Sequence, residues 1–263
     1  DLLDNDNSMK RYQDEFFPSL SWAGQFGPVQ TSLAYSLRTS RPSYDFLSDR
    51  IKYINSFTLM QGDPKLKNER KQEVGMNARY RCLNFSVSYE RKDNALTQLF
   101  NMYGEDDMLL VKRSNLSDPV RNLLVFLSAN PTWGVYSPGW SAGVQKPWSV
   151  IEFDDPRAES GKVKVSYSRP MFLFTFNNAF RFRHSWQLEA NMNIQTKGDY
   201  LNFRMTTPGC NLCFAVQKCW LENDALCLRI SVQDILNRSL QETYSNAGFL
   251  IHTETPVRNN HRL

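Results

Sequence analysis

The chain has 263 residues, a formal net charge of +4, 13% aromatic residues and a mean hydropathy of -0.51. No apolar run approaches the roughly 18 residues that a spanning helix needs, stretches such as Leu123 to Leu127 being the longest, so helical membrane insertion is excluded. The basic residues are interspersed with acidic ones and form no cluster in sequence, which argues against a nucleic-acid partner.

Over most of the chain, in stretches set between polar segments, apolar residues recur at every second position, the period of a strand with one apolar face. Leu20, Trp22 and Phe26 open the pattern, and past a short turn at Phe26 to Val29 it continues through Leu33, Tyr35 and Leu37. Val74, Met76, Ala78 and Tyr80 lead into a short turn at Arg81 to Asn84, followed by Phe85, Val87 and Tyr89. After a turn at Gly134 to Gly139, Trp140, Ala142, Val144, Trp148 and Val150 share a face with Lys146. Phe172, Phe174, Phe176, Phe180 and Phe182 reach the turn at Phe182 to Ser185. Beyond it Trp186, Leu188, Ala190, Met192 and Ile194 alternate with Gln187, Glu189, Asn191, Asn193 and Gln195. Leu212, Phe214 and Val216 precede the turn at Leu221 to Asp224, and Leu226, Leu228, Ile230 and Val232 follow it.

The connections are sorted by length, because long polar segments at 39–66, 95–117, 154–168, 198–208 and 237–257 interleave with the short turns. A soluble sandwich has no reason for such sorting, whereas an outer-membrane barrel has short periplasmic turns and long extracellular loops. Phe26, Tyr80, Trp133, Trp140, Trp186 and Trp220 all sit beside short turns and on the apolar parity of their strands. Rings with an apolar body and a polar edge suit the headgroup level, so these six predict a girdle. The expected fold is therefore all-β: an antiparallel transmembrane β-barrel facing outer-membrane lipid, partial, with about ten strands of a larger barrel. Lys146 departs from the pattern. Either a bulge at Lys146 and Pro147 swaps the facing, or the strand leaves the membrane early and the lysine head snorkels outward.

Five cysteines cannot all pair within one chain, and no disulfide framework is implied. Cys210 and Cys213 stand at an odd separation, which on a strand sends them to opposite faces and argues against a metal site. Cys219 and Cys227 flank a turn with the same facing and can be cross-strand neighbours; we expect free thiols in the wall. His184, His252 and His261 share no face at ligand spacing, and no nucleophile elbow, phosphate loop or zinc-binding helix motif occurs. No catalytic, cofactor-binding or metal-ligating residue is assigned, and the chain is not expected to be an enzyme. Glu73, Arg79, Glu189 and Arg229 fall on the lumen side, where charges stay hydrated and line the wall or grip a partner.

Tyr35-Ser-Leu-Arg38, Arg41-Pro-Ser-Tyr44 and Gln61-Gly-Asp-Pro-Lys-Leu66 resemble a first loop and strand return of the TonB-dependent-receptor-like outer-membrane β-barrel family. Asn177-Asn178-Ala179-Phe180, Gln195-Thr-Lys-Gly198, Val216-Gln217-Lys218 and Asp234-Ile-Leu-Asn237 are similar to its last strands. Local physics supports several of these motifs. Pro42 lacks the amide that pairing needs, Gly62-Asp63-Pro64 is a turn signal, and Asp234 and Asn237 can cap freed amides. The resemblance implies a barrel of about 22 strands closed by an N-terminal plug domain and driven by the TonB system. On that reading residues 1–263 are the C-terminal part of the barrel domain, with the plug and N-terminal strands absent, and the start at Asp1 and stop at Leu263 mark a trimmed piece. The implied function is uptake of an unidentified small ligand. The alternative is an assembly role, in which the barrel anchors surface loops or a partner lipoprotein without transport.

Overall fold

The computed structural model describes residues 16–103, 108–154, 162–201, 203–239, 241–246 and 251–254. In chain order, β1 (Ser19–Phe26) and β2 (Val29–Ser40) form a hairpin, followed by α1 (Tyr44–Leu47), β3 (Lys52–Asn55) and β4 (Thr58–Gln61). Next come β5 (Glu69–Tyr80), β6 (Leu83–Asp93), β7 (Leu96–Tyr103), β8 (Met108–Asn115), β9 (Val120–Ala129) and β10 (Tyr136–Asp154). The remainder is β11 (Lys162–Tyr167), β12 (Met171–Phe182), β13 (Trp186–Gln195), β14 (Gly198–Tyr200), β15 (Phe203–Met205), β16 (Gly209–Trp220), β17 (Leu226–Val232), β18 (Thr243–Asn246) and β19 (Ile251–Glu254).

The long strands make an antiparallel wall in the order β1-β2-β5-β6-β9-β10-β12-β13-β16-β17, with β11 prolonging the edge of β10. The wall is open, with β1 and β17 outermost. The pairing is continuous enough to carry the alternation across strands. Trp22, Leu33, Met76, Val87, Val125, Val144 and Phe172 stand side by side in register. On the opposite face, three positions nearer the short turns, a row runs Gln30, Arg79, Asn84, Ser128, Ser141, Thr175, Asn193 and Asn211. One face is thus a lipid-facing apolar band and the other a wet lumen, as the parity predicts.

The expected girdle is present. Phe26, Tyr80, Trp133, Trp140, Trp186 and Trp220 are all exposed on the outer side beside the turns. Asn178 lies among them, and its Oδ1 accepts from Tyr136 Oη at 2.6 Å and Trp140 Nε1 at 3.3 Å, so the buried part of the amide is satisfied by the aromatic tips. Gly27 holds the first turn at φ +56°, a conformation that a side chain would strain. The turn after β9 is shorter than expected: Gly139 is paired with Asn177 inside β10, and Trp133 and Tyr136 close the bend instead.

Two expectations are settled against one another or overturned. Register runs without a shift from Trp140 to Trp148, so β10 has no bulge at Lys146 and Pro147. Lys146 instead donates to the Ser168 carbonyl above it and sits 5.6 Å from the Trp148 ring centroid, the snorkelling arrangement. Cys219 and Cys227 are joined by a disulfide, not free. They are directly opposed in register, with Cα atoms 4.1 Å apart, the close spacing of a non-hydrogen-bonded cross-strand pair. Cys82, Cys210 and Cys213 are free, and Cys210 and Cys213 do face opposite sides, opposing outward Ile194 and lumen-side Asn191.

The long polar segments are not plain loops. They build two extracellular sheets, one ordered β3-β4-β8-β7 and the other β14-β15-β18-β19. In the first, β4 and β8 are parallel, bringing Thr58 opposite Leu109. The hydrophobic core sits here and not in the wall. Phe100 and Val111 of the first sheet, with Ala95 and Leu116 flanking it, pack on Val120 and Ile151 at the upper ends of β9 and β10 and on Tyr167 at the lower end of β11. A wall solvated by lipid outside and water inside needs no core of its own, whereas the cap stands in water and does.

Candidate lumen face and extracellular cap

The four charged residues placed on the lumen side by parity are there, but the fold groups them into separate places. At the upper end Glu73 accepts from Lys71 at 3.1 Å, Lys71 also meets Glu90 at 2.5 Å, and Lys92 meets Glu90 at 3.2 Å. Toward the periplasmic end Arg229 grips Glu189 through both terminal nitrogens, at 2.9 and 2.7 Å. Gln217 accepts from the same guanidinium at 3.4 Å, and Gln187 donates to Glu189 at 2.7 Å. Arg79 joins neither group; it lines a hollow of about 590 Å³ with Arg81, Asn84, Ser128 and Asn130 at the short-turn end. Alternate-position counting from Glu73 reaches Lys71, and from Glu189 reaches Gln187, on the same strands, whereas Glu90, Lys92 and Gln217 join these groups only through strand pairing.

A second hollow, of about 490 Å³, lies on β1, β2, β5 and β6. Its lumen-side lining is mostly small, Ser21, Ala34, Ser36, Gly75, Asn77, Ser86 and Ser88, with Leu124 of β9 at its side. Short side chains leave room against the wall, and their hydroxyls and amides keep it wet. With Arg38 and Glu73 at its upper rim, the hollow can accept a polar surface or solute.

Above the wall the cap is fastened by side chains that accept backbone amides. Asp199, fully buried, takes the amides of Ser168 at 2.8 Å and Arg169 at 3.0 Å and pairs with Arg204 at 2.8 Å. The hydrogen bond that Arg204 donates to Asp199 holds its guanidinium pKa above the ordinary value. Asn115 accepts from the Lys67 amide at 2.7 Å and donates to the carbonyls of Lys67 and Asn94, clipping three segments together. Burial lowers Arg113, whose guanidinium lies 4.3 Å over the Phe46 ring. Gly62 passes so close to α1 that a Cβ there would meet the Phe46 carbonyl at 2.3 Å. Asp234 caps the end of the wall, accepting from the amides of Arg238 and Ser239 at 3.0 and 3.1 Å.

The first cap sheet ends in an exposed apolar hairpin tip, with Tyr53 76%, Ile54 55% and Phe57 76% exposed. Among the described residues no cluster of three or more histidine, cysteine or acidic side chains could hold a metal. His184 is in a turn, where its carbonyl accepts from Lys218; His261 and the side chain of His252 lie outside the described residues.

An open antiparallel wall with a lipid band, an aromatic girdle, short turns at one end and a folded cap at the other is a section of an outer-membrane β-barrel. The model of the outer membrane protein beta-barrel family matches residues 1–262, and the chain belongs to that family and resides in the outer membrane. No curated protein matches the sequence. Among solved structures it is similar to the ferric enterobactin receptor of Pseudomonas aeruginosa. A double mutant of that receptor matches at 15% identity and TM-score 0.51, over 84% of this chain and 34% of the receptor. A mutant in complex with enterobactin matches at 15% identity and TM-score 0.53, over 83% and 35%. At that identity the likeness concerns the fold, and the chain spans about a third of the length of those receptors.

Proposed function

We propose that residues 1–263 form the C-terminal part of the barrel domain of a TonB-dependent receptor that takes up a nutrient across the outer membrane. In this reading the cap binds the ligand, a plug domain fills the barrel, and inner-membrane energy displaces the plug to open the path. The observation that carries the reading is the structural match of the chain to the ferric enterobactin receptor over 84% of its length. The small-residue hollow on the lumen face is consistent with a plug seated there.

The test does not require the ligand. The purified full-length protein should bind the soluble periplasmic domain of TonB, and deleting the segment that precedes its plug should abolish the complex. Absence of binding by the intact protein refutes energy-coupled uptake. It would favour the second reading, a barrel that anchors a surface partner such as a lipoprotein, for which the exposed tip at Tyr53, Ile54 and Phe57 is the specific support.

A further inference from the structure

Basic residues dispersed in the sequence are gathered by register on one stretch of the outer face. Gln72, Arg91, Arg121 and Trp148 stand side by side on β5, β6, β9 and β10. Lys146 is one outward position below Trp148, beside Leu123. All share the parity of Val74, Tyr89, Leu123 and Val144, so they face lipid and not the lumen. Arg91 lies about 26 Å along β6 from Leu83, which at the usual tilt is roughly 20 Å of height and puts the row at the upper edge of the apolar band.

That placement is electrostatically unbalanced. Arg91 and Arg121 are directly opposed, and like charges directly opposed across strands repel. Asp93 relieves Arg91, accepting from Nε at 3.1 Å and Nη2 at 3.0 Å. Arg121 is exposed and has no acidic partner among the described residues. Lys146 is satisfied by a carbonyl and a ring, neither of which cancels its charge. At this height the groups beside the wall are lipid headgroups, and arginine matches phosphate through paired donors.

We propose that Arg91, Arg121 and Lys146 bind the phosphate of an acylated lipid of the outer leaflet, with Trp148 against its head and the chains along Tyr89 and Leu123. The phosphate neutralises the opposed arginines, and the apolar column below them receives the acyl chains. A free anion would use the same cations but gain nothing from that column.

The experiment uses the full-length protein, purified in detergent and washed free of lipid. Its thermal midpoint is titrated with diphosphorylated lipid A, with the same lipid after removal of its phosphates, and with inorganic phosphate. The phosphorylated lipid should bind at least about tenfold more tightly than the dephosphorylated one, and millimolar inorganic phosphate should not displace it. The double variant R121Q/K146Q should lose roughly tenfold or more in affinity for the phosphorylated lipid, while K164Q, above the row, should bind normally. Equal binding of the two lipids overturns the proposal, as does unchanged binding by R121Q/K146Q. Displacement by inorganic phosphate would show a free-anion site and also overturn it. If the double variant does not assemble, the comparison of the two lipids on the unaltered protein decides.

Discussion

The two faces of the wall can be separated by adjacent substitutions on one strand. Val87 and Ser86 are at nearly the same height on β6 but point to opposite sides. Val87 is flanked in register by Met76 and Val125, in the middle of the apolar band, whereas Ser86 is flanked by Asn77 and Phe126 and borders the 490 Å³ hollow. An arginine at mid-band on the lipid side costs roughly 2 to 4 kcal/mol. That is a factor of roughly 30 to 1000 in the folding equilibrium. Ser86→Arg places the same group in a wet space that can hold it, so its cost should stay below about 1 kcal/mol. In the full-length protein, Val87→Arg should therefore deplete heat-modifiable barrel in outer-membrane fractions, while Ser86→Arg should leave it near the unaltered level. Urea unfolding in vesicles measures the same difference directly. Equal loss from both variants would mean that both faces are dry, as in a packed soluble core, and the reverse order would mean that the parity is inverted.

Height matters as well as side. Leu228 faces lipid but opposes Lys218 close to the girdle, so Leu228→Arg should cost less than Val87→Arg in the same assay, because the head can reach the interface. Removing the cross-strand bond with Cys219→Ser and Cys227→Ser should cost roughly 2 to 3 kcal/mol by the loop-closure account, and thiol counting of the denatured unaltered protein should gain these two groups only after reduction. Sidedness is checked on intact cells: a cysteine at Tyr53 should react with an impermeant reagent, and one at Asn223 in the turn before β17 should not. Labelling is also expected at Asn246, which ends β18 in the second cap sheet, and at Asp107 of the long segment 95–117, which lies outside the described residues. Asp199→Asn should loosen the cap by roughly 1.5 to 3 kcal/mol, since it removes the charge that the Ser168 and Arg169 amides and Arg204 donate to, and hydrogen exchange at those two amides should rise while the wall amides stay protected.

The wall was legible in the sequence because a period of two is a local signal and each residue there answers to one of two solvents. Trp186 through Gln195 reads as a strand from its alternation alone, and it pairs as one. The cap was not legible for the opposite reason. Its strands, such as β7 and β8, are anchored by a distributed core and by side chains such as Asn115 and Asp199, whose partners lie far away in sequence. Polar segments of that kind look like loops because what orders them is tertiary. The lumen groups fall between these cases: parity put Glu189 and Arg229 on the right face, but only the register of β13, β16 and β17 brings Arg229 to Glu189. The cysteine pair shows the limit most sharply. Counting to five argued against full pairing, yet a hairpin that places Cys219 opposite Cys227 decides the matter locally whatever the remaining thiols do.

That hairpin also has a direction built into it. β17 is an outermost strand held on one side only, the place where a sheet normally frays from either end. With its turn end tied covalently at Cys227, it can peel from β16 only from Val232 downward, and it must close again in the same register. The edge that has to meet the next strand of a closed barrel is thus kept as a fixed ruler, and a one-residue slip, which would turn Leu228 and Ile230 into the lumen, is barred by a bond and not merely disfavoured by solvent.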